Sequence, residues 1–245
     1  MSDKRFFVLG AKIGKNIIEG EEHNHLANVM RFKVGDDVVL IADDEFDYYG
    51  TIIEIKKNFS VVEVTKKELN QANPQVEVTA FVAMNKREQT SLMVRMLSEL
   101  GVSFYVPIIT KWTLGQDRTE KIERYQKIAD QSVKQCRRSK TMKIMEPKKL
   151  ADACKDFKNY DEVLFAYENE NDSSIDKLEN KKRIAFIIGP VAGFDKDEAE
   201  LIKSSGAKAI TLGKRILRAD TAAIAMASVI MEHCNEFWYI IKKVY

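Results

Sequence analysis

The amino-acid sequence predicts an α/β protein in which a small β-barrel precedes a larger domain with helices on both faces of a mostly parallel sheet. In residues 1–70, short runs of β-branched and aromatic residues are separated by Asp, Gly and Asn, and helical periodicity is scarce. After residue 75, apolar strand-like runs alternate with helical patterns, which is typical of a parallel sheet. A polar segment that contains Pro74 separates the two regions.

The N-terminal strands are predicted over Val38–Ala42, Tyr48–Ile55 and Ser60–Val64. Their imperfect alternation of apolar and polar residues fits strands with one buried face, as in a small barrel. Asn70–Pro74 then interrupts the pattern, and proline favours an extended linker. We therefore predict two domains, 1–72 and 73–245.

The second domain is predicted to contain five strands, over Val76–Ala83, Phe104–Ile109, Val163–Tyr167, Ile184–Ile188 and Ala209–Leu212. Four helices are predicted from their apolar faces or their caps. They are a helix with Met93, Met96, Leu97 and Leu100 on one face and Gly101 as its cap, a helix with Ile122, Tyr125, Ala129, Ser132, Val133 and Cys136 buried, a helix from the capping box Asp195–Glu198 to Gly206, and a final helix carrying Ala222, Ala225, Met226, Val229 and His233.

Charge and composition exclude several classes of protein. The 245 residues include 39 Lys and Arg against 37 Asp and Glu, a net charge of +2 that excludes a simple polybasic arm. The longest apolar stretch, Ala222–Met231, is too short to cross a membrane, and Met1–Gly10 lacks the apolar core of a signal peptide. We therefore expect a cytoplasmic protein. The three cysteines are an odd number with no CxxC spacing, so we expect reduced thiols and neither a disulfide framework nor a zinc site.

Three loops follow the strands that end near Tyr167, Ile188 and Leu212. Open parallel sheets bind ligands at the carboxyl ends of their strands, so these loops are the candidate site. Ile188–Phe194 contains Gly189, Pro190 and Gly193, which would either form a tight turn or bring backbone N–H groups close to a ligand. The sequence contains neither GxGxxG nor GxxxxGK[ST], which argues against a dinucleotide or P-loop site.

Leu212–Ala222 places two arginines and an Asp-Thr pair around an Ile-Leu core, directly before a helix. Two interpretations remain open. Asp220 or Thr221 could be a helix N-cap beside solvated arginines. Alternatively, the loop could hold an adenosyl group on apolar and backbone atoms while Arg218 faces a nucleic acid.

Seven segments carry a further resemblance: Arg5-Phe6-Phe7-Val8, His25 to Asp36, Ser98 to Val102, Tyr125 to Arg138, Tyr167-Glu168, Gly189 to Phe194 and Leu212 to Ala222. Taken in this order they resemble the RsmE family, the 16S ribosomal RNA uridine-N3 methyltransferases of the SPOUT superfamily. The resemblance spans nearly the whole chain, and Leu212–Ala222 is its most specific segment. It implies a PUA-like RNA-binding barrel, a SPOUT domain with a C-terminal trefoil knot, bound S-adenosylmethionine and a homodimer that acts on the small ribosomal subunit.

The resemblance also implies roles for individual residues. The cofactor would contact Tyr167, Glu168, Ile188, Gly189, Pro190, Gly193, Leu212, Gly213, Ile216, Leu217, Arg218, Thr221 and Ala222. The position of Arg218 in this loop, and not the resemblance, makes it the predicted catalytic residue, which would stabilise the developing negative charge on the base or hold a phosphate. Asp220 would orient Arg218. The predicted RNA-binding residues are Arg5, His25, Arg31, Lys33, Arg137, Arg138 and Lys140, with Lys143 in the same basic segment. Taken alone, the basic segment could equally be a solvated charged face.

The sequence departs from the family pattern at the cofactor loop and nearby. Val191 and Ala192 stand where the family has Glu and the first of two glycines, and Met96 replaces a Lys. Ala192 costs little if its φ angle is negative, but would restrict the loop if φ must be positive. A non-catalytic RNA-binding relative is therefore the main alternative to a methyltransferase, and a small-molecule enzyme is the third hypothesis. His23 and His25 lack a third metal ligand nearby, which favours a structural or RNA-facing role.

Overall fold

The computed structural model describes residues 4–84, 87–113, 119–167, 175 and 178–237. The chain divides into two units, each with its own set of internal contacts. Unit 1 comprises Met1–Asn73 and Val133–Thr141, and unit 2 comprises Pro74–Ser132 and Met142–Tyr245.

Unit 1 is built on a five-stranded mixed sheet. Its elements are β1 (Arg5–Phe7), β2 (Gly14–Glu19), α1 (Gly20–Asn24) with a π-helical turn over His25–Val29, β3 (Asp37–Ile41), β4 (Phe46–Ile55) and β5 (Phe59–Leu69). The strand order is β1-β3-β4-β5-β2, in which β1 and β3 are parallel and the other pairs antiparallel. The three predicted strands are confirmed as β3, β4 and β5. Strands β1 and β2 were not predicted, because three and six residues give too little pattern.

The inner face of this sheet carries the core of unit 1, where Phe6, Leu26, Leu40, Ile52 and Val62 are buried. The outer face is more polar. The register aligns Arg5 with Val39, Val39 with Tyr49 and Tyr49 with Lys66, so these side chains share one face. The register between β4 and β5 shifts after Tyr49, which marks a β-bulge there.

Unit 2 contains the parallel sheet and the remaining helices. Its elements are β6 (Glu77–Ala83), α2 (Arg87–Glu99), β7 (Phe104–Ile109), α3 (Thr119–Cys136), β8 (Lys143–Ile144), β9 (Lys148–Lys149), α4 (Leu150–Lys155), a 3-10 turn (Phe157–Asn159), β10 (Glu162–Ala166), β11 (Arg183–Ile188), α5 (Lys196–Ser204), β12 (Lys208–Ile210) and α6 (Ala219–His233). The last four residues of α3, from Val133, are grouped with unit 1. The strand order is β12-β10-β11-β6-β7-β8, with β9 also on β7. Every pair is parallel.

Both faces of this sheet are covered by helices, as predicted. On β11, Ile184, Phe186 and Ile188 pack into a core with residues of α2, α3 and α6. The alternate residues Ala185 and Ile187 pack into a second core with residues of α4 and α5. Burial on both sides explains why this strand is an unbroken apolar run.

The predicted helix ends are also largely confirmed. Asp195 and Glu198 form a complete capping box at the start of α5, and Gly101 and Gly206 both adopt a φ of +99° after their helices. The N-cap of α6 is Arg218, so the interpretation of Asp220 or Thr221 as that N-cap is wrong. Among the described helices, none combines the length and the apolar character needed to cross a membrane.

Residues 133–141 belong with unit 1, although the sequence prediction placed all of 73–245 in one domain. Hydrogen bonds explain the grouping. Asn73 accepts from the backbone N–H of Ser139 and Lys140, each at 3.1 Å, and its own side chain donates to Ser139 Oγ at 2.8 Å. Asp43 accepts from the backbone N–H of Thr141 at 2.9 Å. These polar pairings leave no periodic signal in the sequence.

Candidate functional site

A cleft lies at the carboxyl ends of β10, β11 and β12 in unit 2. It consists of two adjoining cavities of about 320 and 210 Å³ with several walls in common. The shared walls are Ala166, Pro190, Val191, Gly193, Ile216, Leu217 and Ala222. The loops after β11 and β12 therefore meet the end of β10 at one place, as expected for an open parallel sheet, and the predicted loop after Tyr167 lies outside the described residues.

The first wall is the turn after β11. Gly193 has a φ of +75° and donates its N–H to the carbonyl of Pro190 at 2.9 Å, which closes the turn. Gly189 is needed for another reason. A Cβ at this position would lie 2.9 Å from two ring carbons of Phe194, which is buried against Phe165 with ring centroids 5.3 Å apart.

Ala192, which stands where the family pattern has a glycine, is compatible with this turn. Its φ angle is not positive, because the left-handed conformation falls on Gly193 instead. Ala192 therefore adds a methyl group without backbone strain. The side chain of Val191 is 77% exposed beside the cleft.

The second wall is the segment between β12 and α6. The Thr211 hydroxyl accepts from the backbone N–H of Gly213 at 3.2 Å, and Gly213 has a φ of +103° that favours glycine. The backbone N–H of Tyr167 donates to the carbonyl of Ile210 at 3.1 Å, which ties this wall to the end of β10. Ile216 is 90% exposed, so the cleft has an uncovered apolar edge.

Arg218 lies at the mouth of the smaller cavity, where its side chain is exposed and α6 begins. Within the described part of the chain, no residue makes a hydrogen bond or ion pair with its guanidinium group. The Asp220 carboxylate accepts instead from the backbone N–H of Thr221 at 2.8 Å. The prediction that Asp220 orients Arg218 is therefore not supported by a hydrogen bond or an ion pair between their side chains. Lys214 and Arg215 are also exposed, so the mouth of the cleft is basic.

The far end of the loop after β11 is anchored. Lys111, in the segment after β7, forms an ion pair with the Asp195 carboxylate and donates its backbone N–H to Glu198 at 2.7 Å. The pairing with Lys111 and the backbone N–H groups at the helix start hold the pKa of Asp195 below its usual value. The loop that lines the cleft is thus fixed between β11 and a charged helix cap.

The cleft contains most of the predicted cofactor-binding residues. Those that line it are Tyr167, Ile188, Gly189, Pro190, Gly193, Leu212, Gly213, Ile216, Leu217, Arg218 and Ala222. Thr221 does not line it, and Glu168 lies outside the described residues. Other lining residues were missed, among them Ala166, Thr211 and Phe194. They flank the predicted positions, so counting neighbours in the same loops would have found them.

The predicted RNA-binding residues divide by exposure. Arg5 and Arg138 are only 6% and 3% exposed, so these two side chains are not surface contacts for a phosphate, contrary to expectation. Arg5 is buried because it pairs with Asp47, and desolvation of Arg138 lowers its pKa. The exposed members of the predicted set are Arg31, Lys33, Arg137 and Lys140, with His25 partly buried. Lys140 also pairs with Glu45 at 2.8 Å.

His23 has a structural role. Its Nδ1 lies 2.9 Å from Ser60 Oγ, and its Nε2 lies 3.2 Å from the carbonyl of Lys57. Both ring nitrogens are therefore engaged within unit 1. Among the described residues, no cluster of three or more His, Cys, Asp or Glu side chains could hold a metal ion.

Family models match both parts of the chain. An RNA methyltransferase domain matches residues 71–231, and an RNA methyltransferase PUA domain matches residues 18–65. Two solved structures share the fold over nearly the whole chain. One is a ribosomal RNA small subunit methyltransferase E from Neisseria gonorrhoeae bound to S-adenosylmethionine, with a TM-score of 0.87, 20% identity, and 94% of this chain and 97% of that chain covered. The other is a Legionella pneumophila protein described as a methyltransferase in complex with S-adenosylmethionine, with a TM-score of 0.84, 23% identity, and 95% and 98% covered.

The fold and the cleft define an RNA methyltransferase of the SPOUT type with an N-terminal PUA-like barrel. Curated relatives narrow the class. Ribosomal RNA small subunit methyltransferase E of Rickettsia conorii is 32% identical over 235 residues, covering 92% of this chain and 94% of the relative. The enzyme of the same name from Mesomycoplasma hyopneumoniae is 29% identical, covering 90% and 95%. The chain belongs to the RsmE family of RNA methyltransferases.

Proposed function

We propose that this protein transfers the methyl group of S-adenosylmethionine to N3 of a uridine in 16S ribosomal RNA of the small subunit. The observation that carries the proposal is the cleft at the ends of β10, β11 and β12, with exposed Arg218 at its mouth. Membership of the RsmE family supports both the reaction and the substrate.

The residues of the cleft fit S-adenosylmethionine. Leu212, Ile216, Leu217 and Ala222 supply an apolar wall for an adenine ring, and the peptide groups around Gly213 supply hydrogen-bond donors and acceptors. Ile216 is almost fully exposed, which is an unfavourable state for a large apolar side chain that a bound ring would relieve. When bound, the cofactor supplies an electrophilic methyl group on a sulfonium.

The protein's own part in the reaction is positioning and electrostatics. The N3 proton would pass to solvent, the bond between N3 and the methyl carbon would form as the methyl–sulfur bond breaks, and S-adenosylhomocysteine would leave. Because negative charge develops on the uracil ring, a fixed cation near the mouth of the cleft would lower the barrier. Arg218 is suitably exposed for this role, and no described residue neutralises it. Lys214 and Arg215 would hold flanking phosphates.

Single-turnover methylation of saturating 16S ribosomal RNA tests Arg218. We expect Arg218→Ala to lower the rate by about 100-fold, the usual effect of removing one charge-stabilising donor. Arg215→Ala, a matched loss of an exposed arginine from the same loop, should mainly weaken RNA binding. An unchanged rate in Arg218→Ala would remove Arg218 from the catalytic machinery.

Calorimetry with S-adenosylmethionine separates the methyltransferase from a non-catalytic RNA-binding relative. We expect binding in the micromolar range, and no heat at millimolar cofactor would favour the binding module. Loss of one methyl mark from 16S ribosomal RNA in a deletion strain, restored by the gene, would identify the reaction and the substrate together.

We also propose that the chain is a cytoplasmic homodimer with a trefoil knot around the cleft. The resemblance to the RsmE family supports this, since the family pattern runs through both loops of the cleft. Light scattering at micromolar concentration measures the oligomeric state, and a monomeric mass would contradict the dimer.

A further inference from the structure

A second cavity, of about 540 Å³, lies on the outer face of the unit 1 sheet. Its lining residues are Arg5, Asp47, Tyr49, Glu68, Leu69, Asn70, Gln71, Ala72 and Arg137. All of them belong to unit 1, and the volume suits a ligand the size of a nucleotide. The cavity brings together Arg5 and Arg137, which lie at opposite ends of the unit's sequence.

The floor of this cavity is a buried polar network. Asp47 pairs with the Arg5 guanidinium and accepts from Asn70 Nδ2 at 2.9 Å. Asn70 Nδ2 also donates to the backbone carbonyl of Arg137 at 2.8 Å. The Arg5 Nε is buried, and no described residue accepts a hydrogen bond from it. A buried network of this kind is costly in a surface sheet, which points to a functional reason for it.

Arg137 is held in a strained conformation at the edge of the cavity. Its φ is +70°, a region that costs an ordinary side chain roughly 1 kcal/mol and that glycine adopts freely. Its side chain is exposed, and the hydrogen bond from Asn70 to its carbonyl holds the backbone in place. The left-handed residue directly follows α3, so it also ends that helix, and the Arg137 side chain lines the cavity from this position.

Tyr49 supplies an aromatic wall. It lies beside the β-bulge in β4 and β5, a feature that commonly re-aims a side chain. The ring is 36% exposed, and Lys66 Nζ lies 5.6 Å from its centroid. Burial and the nearby carboxylates of Asp47 and Glu68 raise the pKa of the Tyr49 hydroxyl, so it stays a neutral donor.

We propose that this cavity binds one unpaired nucleotide of the RNA substrate, with its base against Tyr49 and its phosphate on Arg137. The carboxylates of Asp47 and Glu68 are acceptors, so they favour a base with an exocyclic amino group over uracil. Arg5 acts as a positioning residue, because it fixes Asp47 and is itself buried. The inference rests on the proposed RNA methyltransferase function.

Fluorescence anisotropy of the full-length protein with labelled single-stranded oligo(A) and oligo(U) tests this site. We expect oligo(A) to bind more tightly than oligo(U), and Tyr49→Val to weaken oligo(A) binding by about 5-fold or more, the usual loss of one base–aromatic stack. Tyr49→Phe keeps the ring and should stay within about 2-fold of the wild type. Arg137→Gly should weaken both oligonucleotides and lower the slope of log Kd against log salt by about 1.

Arg137→Gly removes backbone strain, so misfolding does not account for a loss of binding. Asn235→Gly is the matched control, since Asn235 also has a positive φ, of +61°, but belongs to unit 2 and does not line the cavity. If the wild type methylates 16S ribosomal RNA while Tyr49→Val and Arg137→Gly bind RNA unchanged, the cavity proposal is wrong. If the wild type transfers no methyl group but oligo(A) binding still depends on Tyr49, the cavity stands and the proposed function fails.

Discussion

Replacing Gly189 by Ala tests how closely the cofactor loop is packed. The added Cβ would lie 2.9 Å from two ring carbons of Phe194, closer than carbon atoms pack. The substitution adds no backbone strain, because Gly189 does not have a positive φ. Phe194 is buried against Phe165, so its ring has little room to yield. Overpacking of this kind costs about 1–3 kcal/mol of unfolding free energy.

Thermal unfolding and calorimetry together measure the effect. Each kcal/mol lowers the Tm of a unit of this size by about 2–4 °C. The displaced ring should also shift Pro190 and Gly193, which both line the cleft, so we expect the Kd for S-adenosylmethionine to rise at least about 10-fold.

A double-mutant cycle isolates the contact. Phe194→Leu removes the ring that meets the new Cβ, at a cost of about 1 kcal/mol by itself. In the double variant the two losses should be less than additive by about 1 kcal/mol or more, since the clash is gone. Additive losses, or a Gly189→Ala protein with unchanged Tm and Kd, would refute the packing argument.

Two further predictions concern titratable groups. The pKa of Asp195 in the folded protein lies below its ordinary 3.8, so the stabilising effect of its carboxylate is complete above about pH 4 and is lost as the pH falls through the folded pKa. Asp195→Asn keeps the helix cap and should flatten the dependence of the urea midpoint on pH below about 4. If the curves of the variant and the wild type ran parallel, this prediction would be wrong. Burial raises the pKa of the Cys234 thiol to about 11 from 9.0, so at pH 8 its alkylation should be roughly 100-fold slower in the folded than in the unfolded chain. Peptide mapping measures the two alkylation rates, and equal rates would show that the thiol is accessible and that its pKa is not raised.

The sequence predicted the central strands because burial on both faces leaves an unmistakable apolar run. Ile184–Ile188 is such a run, and its alternate residues enter two different cores. The position of the cleft followed from the same logic, since parallel strands bring their carboxyl ends to one edge. The pattern of apolar residues does not give the distance between loops. Thr211 and Phe194 were therefore missed, although they are neighbours of predicted residues.

Surface exposure of arginines was much harder to predict than strands. Arg137 and Arg138 are adjacent and chemically identical, and both were expected to bind RNA. The structure exposes the first and buries the second. Because α3 ends at Cys136 and Arg137 has a left-handed φ, the helical periodicity that predicts exposure no longer applies at these two residues. Asn70, which is more than sixty residues away in the sequence, fixes the backbone at Arg137 by donating a hydrogen bond to its carbonyl. A basic run therefore identifies a charged segment, whereas which of its arginines is exposed depends on the local backbone and on partners that are distant in the sequence.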